Sequence, residues 1–146
     1  MINGTAPEIK IAGWANLTDT PQGLDVKINI FEAPAGTHGL HFHENGSCGD
    51  TGNAAGGHYN PENVKHGMIM KDGAQGAHMG DLGNIVITAD GSGVLNAVVP
   101  GLTIAGGKYN VSGRAVVLHE KADDFGQPTG NAGARIGCGV IEAQPE

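Results

Sequence analysis

Apolar and polar positions alternate along most of this chain with the two-residue period of a β-strand. In LDVKINIF, residues 24–31, Leu24, Val26, Ile28 and Ile30 share one face while Asp25, Lys27 and Asn29 take the other. The alternation recurs in EIKIAGW (8–14), GNIVITAD (83–90), GVLNAVV (93–99) and GRAVVLH (113–119). Turn signals separate the runs: DTPQG, EAPAG, ADGSG and PGL. No segment carries a long amphipathic helical period. About seven or eight short strands in such a chain predict an all-β antiparallel fold, a Greek-key β-sandwich or flattened eight-stranded barrel. Residues 44–81 and 120–137 break the alternation. Loops of that length in a compact domain are functional or disordered. The first holds three histidines and the second follows His119, so both are expected to be ordered, functional loops.

Composition narrows the class. With 146 residues and no repeat or long linker, residues 1–146 are expected to form one domain with a core that needs no staples. The 26 glycines and 4% aromatics fit strands joined by tight turns and long ordered loops. A formal net charge of −7 argues against nucleic acid as a partner. No run approaches the roughly 18 apolar residues of a membrane span, and MINGTAPEIK lacks a signal-peptide core. The chain thus reads as cytoplasmic, or as a mature form whose leader has been removed, with no membrane insertion. Cys48 and Cys138 permit one disulfide or two free buried thiols; a disulfide favours an oxidising compartment. Glycan-acceptor triplets begin at Asn3, Asn16, Asn45 and Asn110, and matter only on a eukaryotic secretory route.

The histidines change the picture most. HGLHFHENG, residues 38–46, places His41 and His43 on one strand face and Leu40 and Phe42 on the other. Alone, such a pair is as readily solvated as ligating. His58, His66, His78 and His119 extend the set, with Asp81 three residues after His78. Many imidazoles and one carboxylate suit copper and zinc rather than calcium or magnesium, and the number of donors allows two adjacent metals.

The segments HGLHFHENG, GGHYNPENVKHG, HMGDLGN, GRAVVLHEKADD and GNAGARIGCGVI resemble, in order and in most spacings, the signatures of the copper/zinc superoxide dismutase family. The resemblance covers nearly the whole chain and is weakest before residue 36. It implies copper on His41, His43, His58 and His119, and zinc on His58, His66, His78 and Asp81. His58 would be shared as an imidazolate, which two cations together can hold. It further implies that Asp123 links a copper-ligand histidine to a zinc-ligand histidine. His38 ties loops through backbone hydrogen bonds and binds no metal. Arg135 holds the anion, with Thr129 and Lys121 along the channel, and Cys48 pairs with Cys138 to help place Arg135. The activity implied is conversion of two superoxide radicals to O₂ and H₂O₂ by redox cycling of copper, with zinc structural and His58 carrying a proton. Members that store or deliver metal, or serve as interaction modules, form the alternative. They typically lack a copper ligand or the arginine; this chain lacks neither.

Several features depart from the eukaryotic pattern and give the chain a mixed bacterial-like and eukaryotic-like character. Cys48 lies close to His43 in an ENGSC context, and His66 and His78 stand further apart. Met68 and Met70 fall between them, where packing is expected rather than copper(I) ligation. The stretch from Asp124 to Thr129 is short, which removes part of the charged loop that lines the channel in eukaryotic enzymes. With net charge −7, attraction of superoxide requires local positive potential. Asn45, Ser112 and Glu142 occupy positions that are apolar in eukaryotic dimers, and a buried unpaired Glu142 would be costly. A bacterial-type homodimer or a monomer is expected, and a periplasmic or extracellular location is favoured over the cytoplasm. Trp14 is assigned to packing or surface cover.

Overall fold

Leu24, Val26, Ile28 and Ile30 need an apolar partner surface, and antiparallel neighbours curl to provide it. The computed structural model describes residues 1–143. Its strands are β1 (Ile2–Gly4), β2 (Ala12–Thr20), β3 (Gly23–Glu32), β4 (Gly36–His43), β5 (Asp81–Ile87), β6 (Gly93–Val99), β7 (Leu102–Thr103), β8 (Tyr109–Asn110), β9 (Ala115–His119) and β10 (Arg135–Val140). Eight form one sheet in the order β5-β4-β9-β10-β1-β2-β3-β6, every pair antiparallel. The two end strands β5 and β6 meet, so the sheet is a nearly closed barrel. At that seam a Cβ on Gly93 would lie 2.3 Å from the Val86 carbonyl oxygen, a close approach that only glycine allows. The crossovers from β3 to β4 and from β6 to β9 are the Greek-key connections expected from the sequence. β7 and β8 form a small parallel pair outside the barrel.

The four β3 residues are buried together with Leu40, Phe42, Leu82, Ile85, Leu118 and Ile136 in one core. Removing that much apolar surface from water is the main stabilising term, at roughly 25 cal/mol per Å². Strand β4 is unlike an ordinary surface strand: from His38 to His43 it is buried on both faces. Leu40 and Phe42 enter the core, and His41 and His43 face loops that cover them.

The strand expected over 8–14 is displaced. Residues 5–9 turn back between β1 and β2, with Ile9 N–H donating to the Ala6 carbonyl at 3.0 Å. The β-strand proper begins at Ala12 and runs to Thr20. Ile9 and Ile11 therefore cap the core from a turn, a placement their alternation alone does not distinguish from a strand. β1, β7 and β8 are too short to show a period. β10 begins at Arg135, three residues inside the second loop region as read from sequence. The first loop region carries a 3-10 turn, Asn53–Ala55, and one helical turn, Ile69–Asp72. Met70 packs against the core and Met68 beside Gly83, which accounts for both as packing residues. Trp14 is half exposed on the outer barrel face. Among the described residues no helix is long and apolar enough to cross a membrane.

Candidate metal centre

Strands β4 and β9 lie side by side, with His41 opposite Val117 and His43 opposite Ala115. The first loop brings His58 into an isolated bridge with His43 and then carries His66 and His78 past it to Asp81 at the start of β5. One ligand-capable atom from each of His41, His43, His58 and His119 lies within 4.8 Å of the others. The same holds for His58, His66, His78 and Asp81, so the His58 ring stands in both groups. All seven residues are buried.

Hydrogen bonds decide which nitrogen of each ring is free. His43 Nδ1 lies 2.9 Å from the Gly56 carbonyl, and His119 Nδ1 3.3 Å from the Gly133 carbonyl. A carbonyl only accepts, so both Nδ1 atoms carry the proton and both Nε2 atoms are lone pairs. Those lone pairs face each other at 3.4 Å. His41 Nε2 donates to Asp123 Oδ2 at 2.8 Å, which leaves its Nδ1 buried without a partner. On the other side, His58 Nδ1 lies 2.9 Å from Asp81 Oδ1 and 3.2 Å from His78 Nδ1. His66 Nδ1 stands 2.9 Å from Asp81 Oδ2, outside the angle of a hydrogen bond. Asp81 Oδ2 also accepts the N–H groups of His78 and Gly67 at 2.8 and 3.0 Å. Orphaned and mutually facing lone pairs are costly in a buried site unless a cation lies between them. The donor sets, four imidazoles on one side and three with a carboxylate on the other, fit copper and zinc.

Electrostatics favour the neutral, ligating form of His43, His58 and His119 and the charged form of both carboxylates, but the protonated form of His66. Burial, reinforced by neighbouring rings, pulls His43 down to about 2 and His119 down to about 3. Burial also takes His58 down to about 4 against the opposing pull of Asp81. These three rings are neutral at pH 7. Burial pulls His66 downward too, but Asp123 and Asp81 outweigh it and raise the ring to about 9. Burial works to raise both carboxylates, yet the surrounding histidines hold Asp81 and Asp123 well below the usual carboxylate range.

Asp123 bonds His41 Nε2 with Oδ2 and lies 2.9 Å from His66 Nε2, so it spans the two groups. His38 has one ring nitrogen 2.8 Å from the His119 carbonyl and the other 2.7 Å from the Pro34 carbonyl. Arg135 donates from Nη1 to the Gly52 carbonyl at 2.9 Å, and its charge reaches His43 and His119. Cys48 and Cys138 form a disulfide, and Gly52 N–H donates to the Cys48 carbonyl, so the bridge and the loop that grips Arg135 are continuous. Thr129 is exposed at the edge of the site. Lys121 is exposed; its backbone bonds Gly39 and Ala132.

Three supporting residues escaped the sequence reading. Asn84 accepts the Asp123 N–H at 2.7 Å and donates to its carbonyl at 3.0 Å, fixing the backbone that carries the linking carboxylate. Gln127 exchanges two hydrogen bonds with the His66 backbone, at 2.9 and 2.7 Å. Gly130, at φ +86°, lets the second loop pass so near that a Cβ would lie 2.0 Å from Asp123 Oδ1. A polar residue at the head of the apolar run in GNIVITAD was the available signal for Asn84; Gln127 had none.

A nearly closed Greek-key barrel whose loops fold a paired histidine centre against two neighbouring strands defines a class of β-barrel metalloproteins. The chain belongs to the copper/zinc superoxide dismutase family, whose model matches residues 11–141. It is 44% identical over 139 residues to the extracellular superoxide dismutase [Cu-Zn] of Caenorhabditis elegans, covering 90% of this chain and 61% of that protein. It is 39% identical over 145 residues to the superoxide dismutase [Cu-Zn] of Deinococcus radiodurans, covering 92% and 79%. The crystal structure of the clock protein EA4 superposes with a TM-score of 0.84 at 36% identity, covering 95% of this chain and 90% of that one.

Proposed function

We propose that this chain is a superoxide dismutase that converts two superoxide radicals to O₂ and H₂O₂, and that residues 1–146 act as one domain. The observation that carries the reading is the His58 ring, which stands in both histidine groups with Nδ1 toward Asp81. Copper would be held by His41, His43, His58 and His119, and zinc by His58, His66, His78 and Asp81. When bound, copper supplies one-electron chemistry that oxidises one superoxide and reduces the next. The remaining work falls to the protein. Arg135, gripped by the Gly52 carbonyl, presents a permanent cation and forked donors to a small anion. Asp123 orients His41 and His66 by accepting their ring N–H groups. His58 would take a proton at Nε2, the nitrogen turned away from Asp81, and supply it as one of the two protons of H₂O₂, the second coming from water. Thr129 and Lys121 are assigned to the approach.

The disulfide and the extracellular relative support a location outside the cytoplasm, extracellular or periplasmic. A dimer through the face of Asn45, Ser112 and Glu142 would bury polar groups and a charge, which supports a monomer or a bacterial-type dimer instead. Sedimentation of Glu142→Gly tests this, since a dimer gained on removing the charge identifies the face.

The deciding experiment is stopped-flow superoxide decay with copper- and zinc-loaded protein, beside a copper-free zinc-loaded control and a His119→Ala variant. Fast decay is expected for the loaded protein only. Equal, slow decay in all three overturns the catalytic reading and leaves a protein that stores or delivers metal.

A further inference from the structure

A cleft of about 430 Å³ opens beside the site, on the side of His58, His66 and His78 and away from His41, His43 and His119. Glu44 and Gly57 contribute to it from one loop segment, Asn63 and Lys65 from another, and Gln127 and Thr129 from the short second loop. It is a built shape. Gln127 is stapled to the His66 backbone in both directions, and Glu44 Oε1 accepts the Gly57 N–H at 3.3 Å. Only five residues, 124–128, separate Asp123 from Thr129, so the second loop has no chain to spare for a cover.

The floor of this cleft coincides with the residual exposure of the second group of ligands. The side chains of His66 and Asp81 are fully buried, whereas those of His58 and His78 keep 4% and 7% of their surface. Both histidines line the cleft. Solvent thus meets the second group of ligands edge-on here, with no need for β-strands to part. Glu44 and Lys65 put opposite charges on the rim, so the opening rather than a net field defines the route.

We propose that this cleft is a port through which a hydrated divalent cation enters and leaves the His58, His66, His78 and Asp81 group directly, with His41, His43, His119 and the barrel undisturbed. The inference rests on the two-metal reading above. Gly57 supplies the means to test it. It lines the cleft, its φ is ordinary, and a Cβ there meets no atom within 4 Å, so a large side chain can occupy the opening without a backbone clash.

The experiment loads the protein with copper and zinc, measures zinc content, and follows zinc transfer to an excess of the chelator 4-(2-pyridylazo)resorcinol at pH 7. Gly57→Ala should release zinc at the parent rate. Gly57→Phe, with equal zinc content, should release it about tenfold more slowly or less, because exchange must then await local opening of the loops. If Gly57→Phe does not fold, Lys65→Trp on the rim is read in the same way. Full zinc content with the parent release rate in the filled variant overturns the port. Zinc content unaltered by His78→Ala in the unfilled protein overturns instead the ligand assignment on which it rests.

Discussion

At the scale of single residues, the same burial that keeps His43, His58 and His119 neutral leaves His66 charged, because it sits between two carboxylates. A histidine whose folded pKa is raised to about 9 contributes stability fully present below the unfolded value of 6.5 and lost as pH rises through 9. For the three rings lowered to between about 2 and 4 the sign reverses. They contribute nothing above pH 6.5, and stability falls as pH drops from 6.5 toward 4, where the unfolded chain takes up protons the fold refuses. The metal-free protein is therefore expected to lose stability on the acid side of neutrality. With the ligand set proposed above, zinc uptake would displace the His66 proton, releasing about one proton per zinc at pH 7 and fewer as pH passes 9. Titration calorimetry in buffers of different ionisation heat reads that number directly. Binding heat independent of the buffer would show that His66 is neutral before metal arrives.

At the scale of elements, the centre depends on two loops pinned to a strand pair. The Cys48–Cys138 bridge closes a sequence separation of 90 residues and ties the loop that grips Arg135 to β10. Replacing both cysteines with alanine should lower unfolding free energy by about 2–5 kcal/mol in urea titrations under non-reducing conditions. Superoxide decay should slow as well, because Gly52 then holds Arg135 less firmly. An unchanged midpoint would mean that the loop is fixed by its backbone hydrogen bonds alone. β4 shows how sequence and packing divide the work. Its alternation announced an apolar face and an imidazole face, but an ordinary amphipathic strand would leave the second face wet. Here the loops after β4 and β9 cover it, so His41 and His43 have no exposed surface. The loop conformations themselves were illegible, since Gln127 matters for the His66 backbone it holds 61 residues away and Gly130 for its close approach to Asp123 and His66.

At the scale of the whole molecule, the barrel core is apolar, and the buried ionisable groups gather where the two long loops cover β4 and β9. In the metal-free protein the facing His43 and His119 lone pairs and the unpartnered His41 Nδ1 cost stability that a cation would restore, so metal should act on the fold as a whole. A ligand at a thousand times its dissociation constant adds about 4 kcal/mol. For a chain of this size that corresponds to a rise of roughly 8–16 °C in melting temperature. Calorimetric scans of metal-free and zinc-loaded protein should show it, and a rise under about 2 °C would indicate that zinc does not bind the native cluster.

What the sequence determined by itself was whatever depends on short-range period and on residue type. The two-residue alternation requires strands, turn residues space them, and a set of histidines that large restricts the chemistry to nitrogen-loving metals. The order of the segments around those histidines carried the family. Only the tertiary structure decided how they converge. A period of two says which face a side chain occupies but nothing of which strand lies next to it, so EIKIAGW could begin as a turn and still place Ile9 and Ile11 on the core. Likewise, a histidine's type leaves open which ring nitrogen is free. That choice is made by two carbonyls and a carboxylate of the covering loops, Gly56, Gly133 and Asp123, which reach the rings only where those loops fold back over β4 and β9.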